Sequence, residues 1–505
     1  METNIYIPPA ADRISSMGAS LLSHSAAPEK FRLEEKSRQR GIQFRNDSAF
    51  WLLGLINNSS YVIMMAVAKE IAPGAVGIVF LADVAPTLLI KVTAPYWFHL
   101  VPYSVRVWAC TVLLVLSLVT VGYGGSTGVQ LLGVCFSSLQ GGLGEASFLA
   151  LASYYDTPRA LTAWSSGTGF AGIFGYAWVF VLNLLFGLSF RTTLMMANLL
   201  AVFFLYAYFR LLSAPLINSE RHRSSSGTSS SVGGGGNGNR LSQQTRVDGI
   251  GAARATAYSP LSPSSQQQMQ SSALSSSLTS DGGGGALYSS HTEDEGGEEE
   301  GWGESDGGTL DVGVVAGESR RPPEMTVGER LRFTLSLWRF TVPLVLVYFA
   351  EYTMQTGTWS AIGFPITSAN ARRRFYEYAN WCYQGGVFVS RSSGMIVRLS
   401  PLMLWSLPAV QVAMLIFFYL VAVEKFLYGY GLLFLCFGVG LVGGLGYVNA
   451  FRLVAEAVPP ELKELALASA SVGDSFGVMF SDIFGTFVQA CVYKRNGIPG
   501  AWATC

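Results

Sequence analysis

A glutamate stands in the middle of "VLVYFAEYTMQTG", a stretch from Val345 to Gly357 otherwise suited to the centre of a membrane. An ionisable group there costs a few kcal/mol or more, so Glu351 persists only beside a partner, a wet cavity or a solute path. Thr341, Tyr348, Glu351 and Gln355 fall near one helical face by the i, i+3, i+4, i+7 rule. A polar stripe on an apolar helix points into the protein. Burial disfavours the carboxylate, which makes Glu351 a candidate proton carrier; a plain hydrogen bond between helices is the alternative.

Other apolar stretches carry similar exceptions. "LADVAPTLLIKVTAPYW" places Asp83, Thr87 and Lys91 at successive i+4 positions, with Pro86 and Pro95 expected to bend the helix. Asp83 and Lys91 lie about 12 Å apart along a helix, too far to pair, so each needs another partner or water. Glu145 follows the tetrapeptide GGLG, whose glycines let a neighbouring helix approach and shield the carboxylate. Gly167, Ala171 and Gly175 form a small-residue seam beside Ser165, Ser166 and Thr168, hydroxyls that either pack or bind a ligand. "CYQGGVFVSRSSG" supplies Gln384 and Arg391; the arginine either clamps a phosphate or carboxylate bidentately or snorkels to the rim. The candidate binding and coupling set is Glu351, Arg391, Glu145, Asp83, Lys91, Asp474, Tyr348, Gln384, Thr168 and Ser166.

Catalytic chemistry is not indicated. The glycine-rich runs lie in apolar or low-complexity stretches, so they are no phosphate cradle, and no Ser-His-Asp set or metal motif occurs. The four histidines are scattered, and the six cysteines show no CxxC spacing and mostly fall in apolar runs. The cysteines are expected to pack rather than to form disulfides or hold metal. No enzyme activity, cofactor, metal or nucleic-acid partner is expected.

The elements that must position these residues are membrane helices. Of 505 residues, 50% are hydrophobic and only 13% charged, with mean hydropathy +0.35; a soluble domain carries about 25% charged residues. The N-terminus lacks the pattern of a signal peptide. A basic N-terminal tail over 1–48 is expected in the cytosol by the positive-inside rule. Apolar spans follow near 49–68, 76–98, 105–124, 129–153, 160–186 and 190–212, and again near 338–357, 377–395, 399–422, 427–453 and 463–490. Between them lies a Ser-, Gly-, Gln- and Glu-rich block that cannot bury a core. The expected organisation is a six-helix bundle over 49–212, a disordered cytosolic loop over 213–335, a second bundle over 336–490 and a short tail over 491–505. With 6+5 spans, the tail ends opposite the N-terminus. Residues 359–376, with Arg372, Arg373 and Arg374, are expected as an amphipathic helix at the interface. Asn57 and Asn58 head N-x-S sequons but lie within the first span.

The halves repeat. GGLG begins at Gly141 and again at Gly443, an offset of 443 − 141 = 302. "SGTGFAGIFG" from Ser166 matches "VGDSFGVMFS" from Val472, pairing Gly167 with Gly473 and Thr168 with Asp474 at an offset of 306. Two parallel repeats about an axis along the membrane normal are the major-facilitator arrangement, with the solute site between halves at mid-depth.

Seven segments, in order, resemble the battenin family of lysosomal or vacuolar membrane proteins. They are "LLGLINNSSYVIMM", "LADVAPTLLIKVTAP", "LGEASFLALASYYD", "WSSGTGFAGIFG", "VPLVLVYFAEY", "YQGGVFVSRSS" and "GGLGYVNAF". The resemblance covers nearly all of both bundles and includes Asp83, Lys91, Glu145, Glu351, Arg391 and Asp474. It implies an all-α, major-facilitator-like two-bundle fold of about 11 helices in a lysosomal or vacuolar membrane. It also implies clearance of small polar or anionic solutes such as glycerophosphodiesters, with links to organelle pH, protons and basic amino acids. The competing expectation is a non-transporting regulator that recruits trafficking partners through its loop. The chain ends "AWATC" without a prenylation box, and "YSPL" at Tyr258 is a candidate sorting signal.

Overall fold

In hydrocarbon no water satisfies backbone N–H and C=O groups, so a chain with long apolar runs must close its hydrogen bonds within helices. The structure, a computed structural model, describes residues 10–66, 76–214, 325–501 and 503–505, and no strand occurs among them. The first half comprises α1 (Ala10–Ala66), α2 (Val76–Trp97), α3 (Tyr103–Tyr123), α4 (Thr127–Leu151), α5 (Thr157–Val179), α6 (Phe190–Ala197) and α7 (Leu199–Tyr206). A short α8 (Val327–Ser336) precedes the second half. This comprises α9 (Trp338–Thr353), α10 (Ala369–Ser392), α11 (Pro401–Glu424), α12 (Leu432–Ala457), α13 (Lys463–Ala470) and α14 (Val472–Asn496).

Local chemistry sets the ends. Ser126, Ser189, Ser368 and Ser400 each cap a following helix by accepting from a backbone N–H three residues on. Pro401 then occupies the first turn of α11, where no N–H is missed. Thr326 and Glu329 form a reciprocal box at the start of α8, and the donated bonds hold the Glu329 carboxyl below its ordinary value. Gly497 ends α14 at φ 64°, a left-handed turn that suits glycine.

Within the first half α1 packs on α5, and α3 on α4; in the second, α9 packs on α14 and α10 on α12. Phe148 anchors the first core, 5.3 Å from Trp164 and 5.6 Å from Phe204 between ring centres. Trp359, Phe375 and Phe418 anchor the second. Large apolar side chains such as Leu89, Val112, Val202, Leu402 and Phe434 remain on the outside. Outward apolar and inward polar groups are what a bilayer solvent demands.

We call the side on which Asp47 and Arg159 lie the near face, and the side carrying the loop between α9 and α10 the far face. Several expectations change. Among the described residues six helices are long and apolar enough to span, seven if α8 and the α9 segment, bent by 63°, count as one. Eleven is therefore not reached by that criterion, which α10 does not meet because its first nine residues carry Arg372, Arg373, Arg374 and Glu377. Those arginines belong to α10 itself, not to a separate interfacial helix. The polar N-terminal tail continues α1 from Ala10, and the last residues of the 213–335 block fold as α8. Residues 215–324 of that block, with Tyr258 among them, lie outside the described residues. Cys491 and Cys505 form a disulfide, against the expectation of packing alone, because the tail after Gly497 folds back along α14. Cys110, Cys135, Cys382 and Cys436 are free.

Candidate functional site

Among the helix pairs that form the seam between halves are α2 against α14 and α5 against α10. Glycines permit the second approach: a side chain at Gly169 would meet the backbone of Phe388, and one at Gly172 the Gln384 side chain.

On the near-face side of mid-depth, six of the ten candidate residues meet in one polar plug. The Lys91 ammonium, 1% exposed, donates to Glu145 Oε2 at 2.7 Å and to Asp474 at 2.8 and 3.1 Å. Tyr447 donates to the other Glu145 oxygen at 2.6 Å and accepts from Trp164 Nε1 at 3.3 Å. Arg391 donates to Thr168 Oγ1 and to the Tyr348 hydroxyl, each at 2.7 Å, and its guanidinium lies 4.0 Å over the Tyr447 ring. Two cations thus stand against two carboxylates, which makes their burial tolerable. Four of these bonds cross the seam: Lys91–Asp474, Tyr447–Glu145, Trp164–Tyr447 and Arg391–Thr168. Lys91–Glu145 and Arg391–Tyr348 stay within their own halves.

The plug obeys the sequence repeat. Tyr447 is the duplicate of Glu145 (447 − 145 = 302), and Asp474 that of Thr168 (474 − 168 = 306). Lys91 and Arg391 are also related, at 391 − 91 = 300. The Lys91–Asp474 and Arg391–Thr168 bonds are therefore two versions of one contact about a pseudo-twofold axis, one ionic and one neutral.

Towards the far face a narrow cavity lies between α1, α2 and α5 of one half and α9, α10 and α14 of the other. Asp83 and Gln384 line it, together with Tyr61, Tyr176, Tyr352, Tyr376, Gln355, Asn380 and Asp482. Asp83 stands eight residues from Lys91 along α2, and Asp482 eight from Asp474 along α14. The two carboxylates thus sit about 12 Å further from the near face than the plug.

The remaining candidates lie elsewhere. Ser166 bonds Ser392 at 2.9 Å and accepts from Trp51 at 3.2 Å, in a near-face groove beside the Asp47–Arg159 ion pair. Glu351 faces the interior of the second bundle, where Tyr383 donates at 2.9 Å and Gln411 at 3.2 Å, and where Gly443 packs against its carboxylate. Asn57 is likewise held inside the first bundle, accepting from Gln140 at 2.9 Å and packed on Gly144. Tyr348 and Gln355 turn to the seam, so the stripe of α9 serves two different surroundings. Sequence reasoning missed Asp482, eight residues beyond Asp474 in an otherwise apolar helix, and the cavity tyrosines. The glutamate Glu464 was also missed. It accepts from Tyr103 at 2.6 Å and Tyr154 at 2.5 Å, a further tie between halves on the near face. Among the described residues no cluster of His, Cys, Asp and Glu is arranged to hold a metal.

Comparison with known proteins follows this geometry. The family model described as CLN3 protein matches residues 48–494. Protein btn-1 of Neurospora crassa is 33% identical over 451 residues, covering 85% of this chain and 84% of the relative. Battenin of Canis lupus familiaris is 29% identical, covering 89% and 91%. Among solved structures, the human organic anion transporter MFSD10 superposes with a TM-score of 0.48 at 14% identity, covering 90% of this chain and 97% of that one. The proton:xylose symporter XylE gives 0.49 at 11%, covering 90% and 96%.

Proposed function

The chain belongs to the CLN3 protein family, and from that premise we propose that it is a secondary transporter working by alternating access. Its solutes are small and polar, glycerophosphodiesters among them, and it moves them out of a lysosomal or vacuolar lumen. It thereby supports organelle pH and lysosomal homeostasis. The near face is the cytosolic one: Arg45, Arg159, Arg210, Arg330, Arg332 and Arg339 all lie on that side.

The observation that carries the reading is the paired arrangement of plug and cavity. Bonds that cross the seam close one face, while a polar cavity shared by both halves stands towards the other. Rocking the halves about the seam would break Lys91–Asp474, Tyr447–Glu145 and Arg391–Thr168 together and carry a bound solute across. Arg391 is the candidate anion ligand, since its buried Nε has no partner and its fork suits a phosphodiester. Asp83, Asp482 and the plug carboxylates are the groups through which protons would couple. Glu351 has a structural place within one bundle instead.

The test is saturable uptake of glycerophosphodiesters by vesicles containing the full chain. Arg391→Lys keeps the charge and loses the planar fork, and should raise KM in protein that still folds. Flux no greater than in empty vesicles would overturn the proposal.

A further inference from the structure

The far-face cavity carries a chemistry that the plug does not. Two of its walls present carboxylates, Asp83 from the first half and Asp482 from the second, and among the described residues no lysine, arginine or histidine lines it. Nearby cations are already engaged: Lys91 is held by Glu145 and Asp474 in the plug, and Arg391 by Thr168 and Tyr348. Asp83 is 7% exposed, yet its Oδ1 has no hydrogen-bond partner. Gln355, 8% exposed in the wall from the second half, leaves its amide nitrogen unbonded. A buried carboxylate oxygen without a donor, facing a second carboxylate across a cavity, is costly unless something positive arrives. The aromatic lining points the same way, because tyrosine faces attract cations once water is displaced.

We propose that this cavity is a binding site for an ammonium group, primary or quaternary, held between Asp83 and Asp482 and faced by Tyr61, Tyr176 and Tyr352. The proposal rests on the transport reading and deepens it by assigning the chemical class of one end of the solute. The two carboxylates belong to opposite halves, so a cation bound between them is held by both and draws the halves together over itself, which links occupancy to closure of the far face. A solute bearing both an ammonium and an anionic group would span the cavity and the Arg391 level below it.

The test uses the full chain in nanodiscs and calorimetric titration with three probes. Choline supplies the compact cation, 3,3-dimethylbutan-1-ol the same shape without charge, and glycerol 3-phosphate an anion alone. Choline is expected to bind at least about tenfold more tightly than either of the others, a difference of about 1.4 kcal/mol or more. Asp482→Asn and Tyr176→Leu should each weaken choline binding, the former about tenfold, with unfolding temperature retained. Asp482 is the better carboxylate to vary because it is only partly buried, whereas the Asp83 backbone accepts from Ser138 in the helix packing. Equal affinity for the neutral isostere, or choline affinity unmoved in both folded variants, would overturn the site. Choline binding in a protein that never sustains flux would overturn the transport reading alone; flux of another solute without choline binding would overturn this site alone.

Discussion

Replacing Asp474 by asparagine should loosen the near face without unfolding either bundle. The carboxylate accepts from Lys91 at 2.8 and 3.1 Å, and those bonds cross the seam. Lys91 keeps its bond to Glu145, which lies in its own half, so the ammonium is not stranded. A hydrogen bond to a charged group contributes about 1.5–3 kcal/mol. Because this one exists only while the near face is closed, its loss should raise the open population about ten- to a hundredfold. Hydrogen exchange on the full chain in nanodiscs reads that population through the near-face ends of α5 and α13. Their exchange should quicken by a similar factor, with α3 and α11 unchanged. Lys91→Met is the contrasting perturbation, since it leaves Glu145 and Asp474 buried together without their cation. It should cost about 3–5 kcal/mol and lower the unfolding temperature. Wild-type exchange at the near face in a folded Asp474→Asn protein would refute the reasoning that these bonds hold the seam shut.

Glu351→Ala should lower the unfolding temperature, since Tyr383 and Gln411 lose their acceptor at about 1–3 kcal/mol each, whereas Glu351→Gln keeps an acceptor and should lower it less. Neither variant should change choline affinity; a large change would place Glu351 in the cavity. A β-carbon at Gly443 would overlap the Glu351 carboxylate, so Gly443→Ala should destabilise by about 1–3 kcal/mol, while its duplicate Gly141 has open space and should tolerate alanine in the same thermal assay. Non-reducing peptide mapping should find Cys491 linked to Cys505, and Cys491→Ser should quicken exchange in the C-terminal tail.

The repeat was the most informative signal in the sequence. Its offsets joined Gly141 to Gly443 and Thr168 to Asp474, and the plug is built on those same correspondences, with Tyr447 standing at the duplicate of Glu145. Separating Asp83 from Lys91 by eight helical residues also foretold that the two do not pair, and they occupy different levels of the seam. The facing of Glu351 was not legible, for a geometric reason. A stripe at i, i+3, i+4 and i+7 is broad, and Tyr348 and Gln355 on one edge of it reach the seam while Glu351 turns into the bundle. Which edge meets which neighbour depends on helix packing, and no single helix encodes that. Asp482 and the cavity tyrosines were passed over because they come from five separate helices, and their convergence exists only in the assembled fold. The Cys491–Cys505 link escaped likewise, because one partner lies in an apolar helix and the other at the end of a polar tail.

The central claim is that opening of the near face is an obligatory step of solute movement. Ser166 and Ser392 place their hydroxyl oxygens 2.9 Å apart across the seam on that face. Ser166→Cys with Ser392→Cys, in a background whose free cysteines are replaced, should therefore cross-link on mild oxidation and lock the halves. Flux into reconstituted vesicles, measured before oxidation, after it and after reduction, tests the claim directly, with unsubstituted protein carried through the same steps. The account predicts that flux stops when the cross-link forms and returns when it is reduced. Undiminished flux through protein that mass spectrometry shows to be fully cross-linked would contradict it.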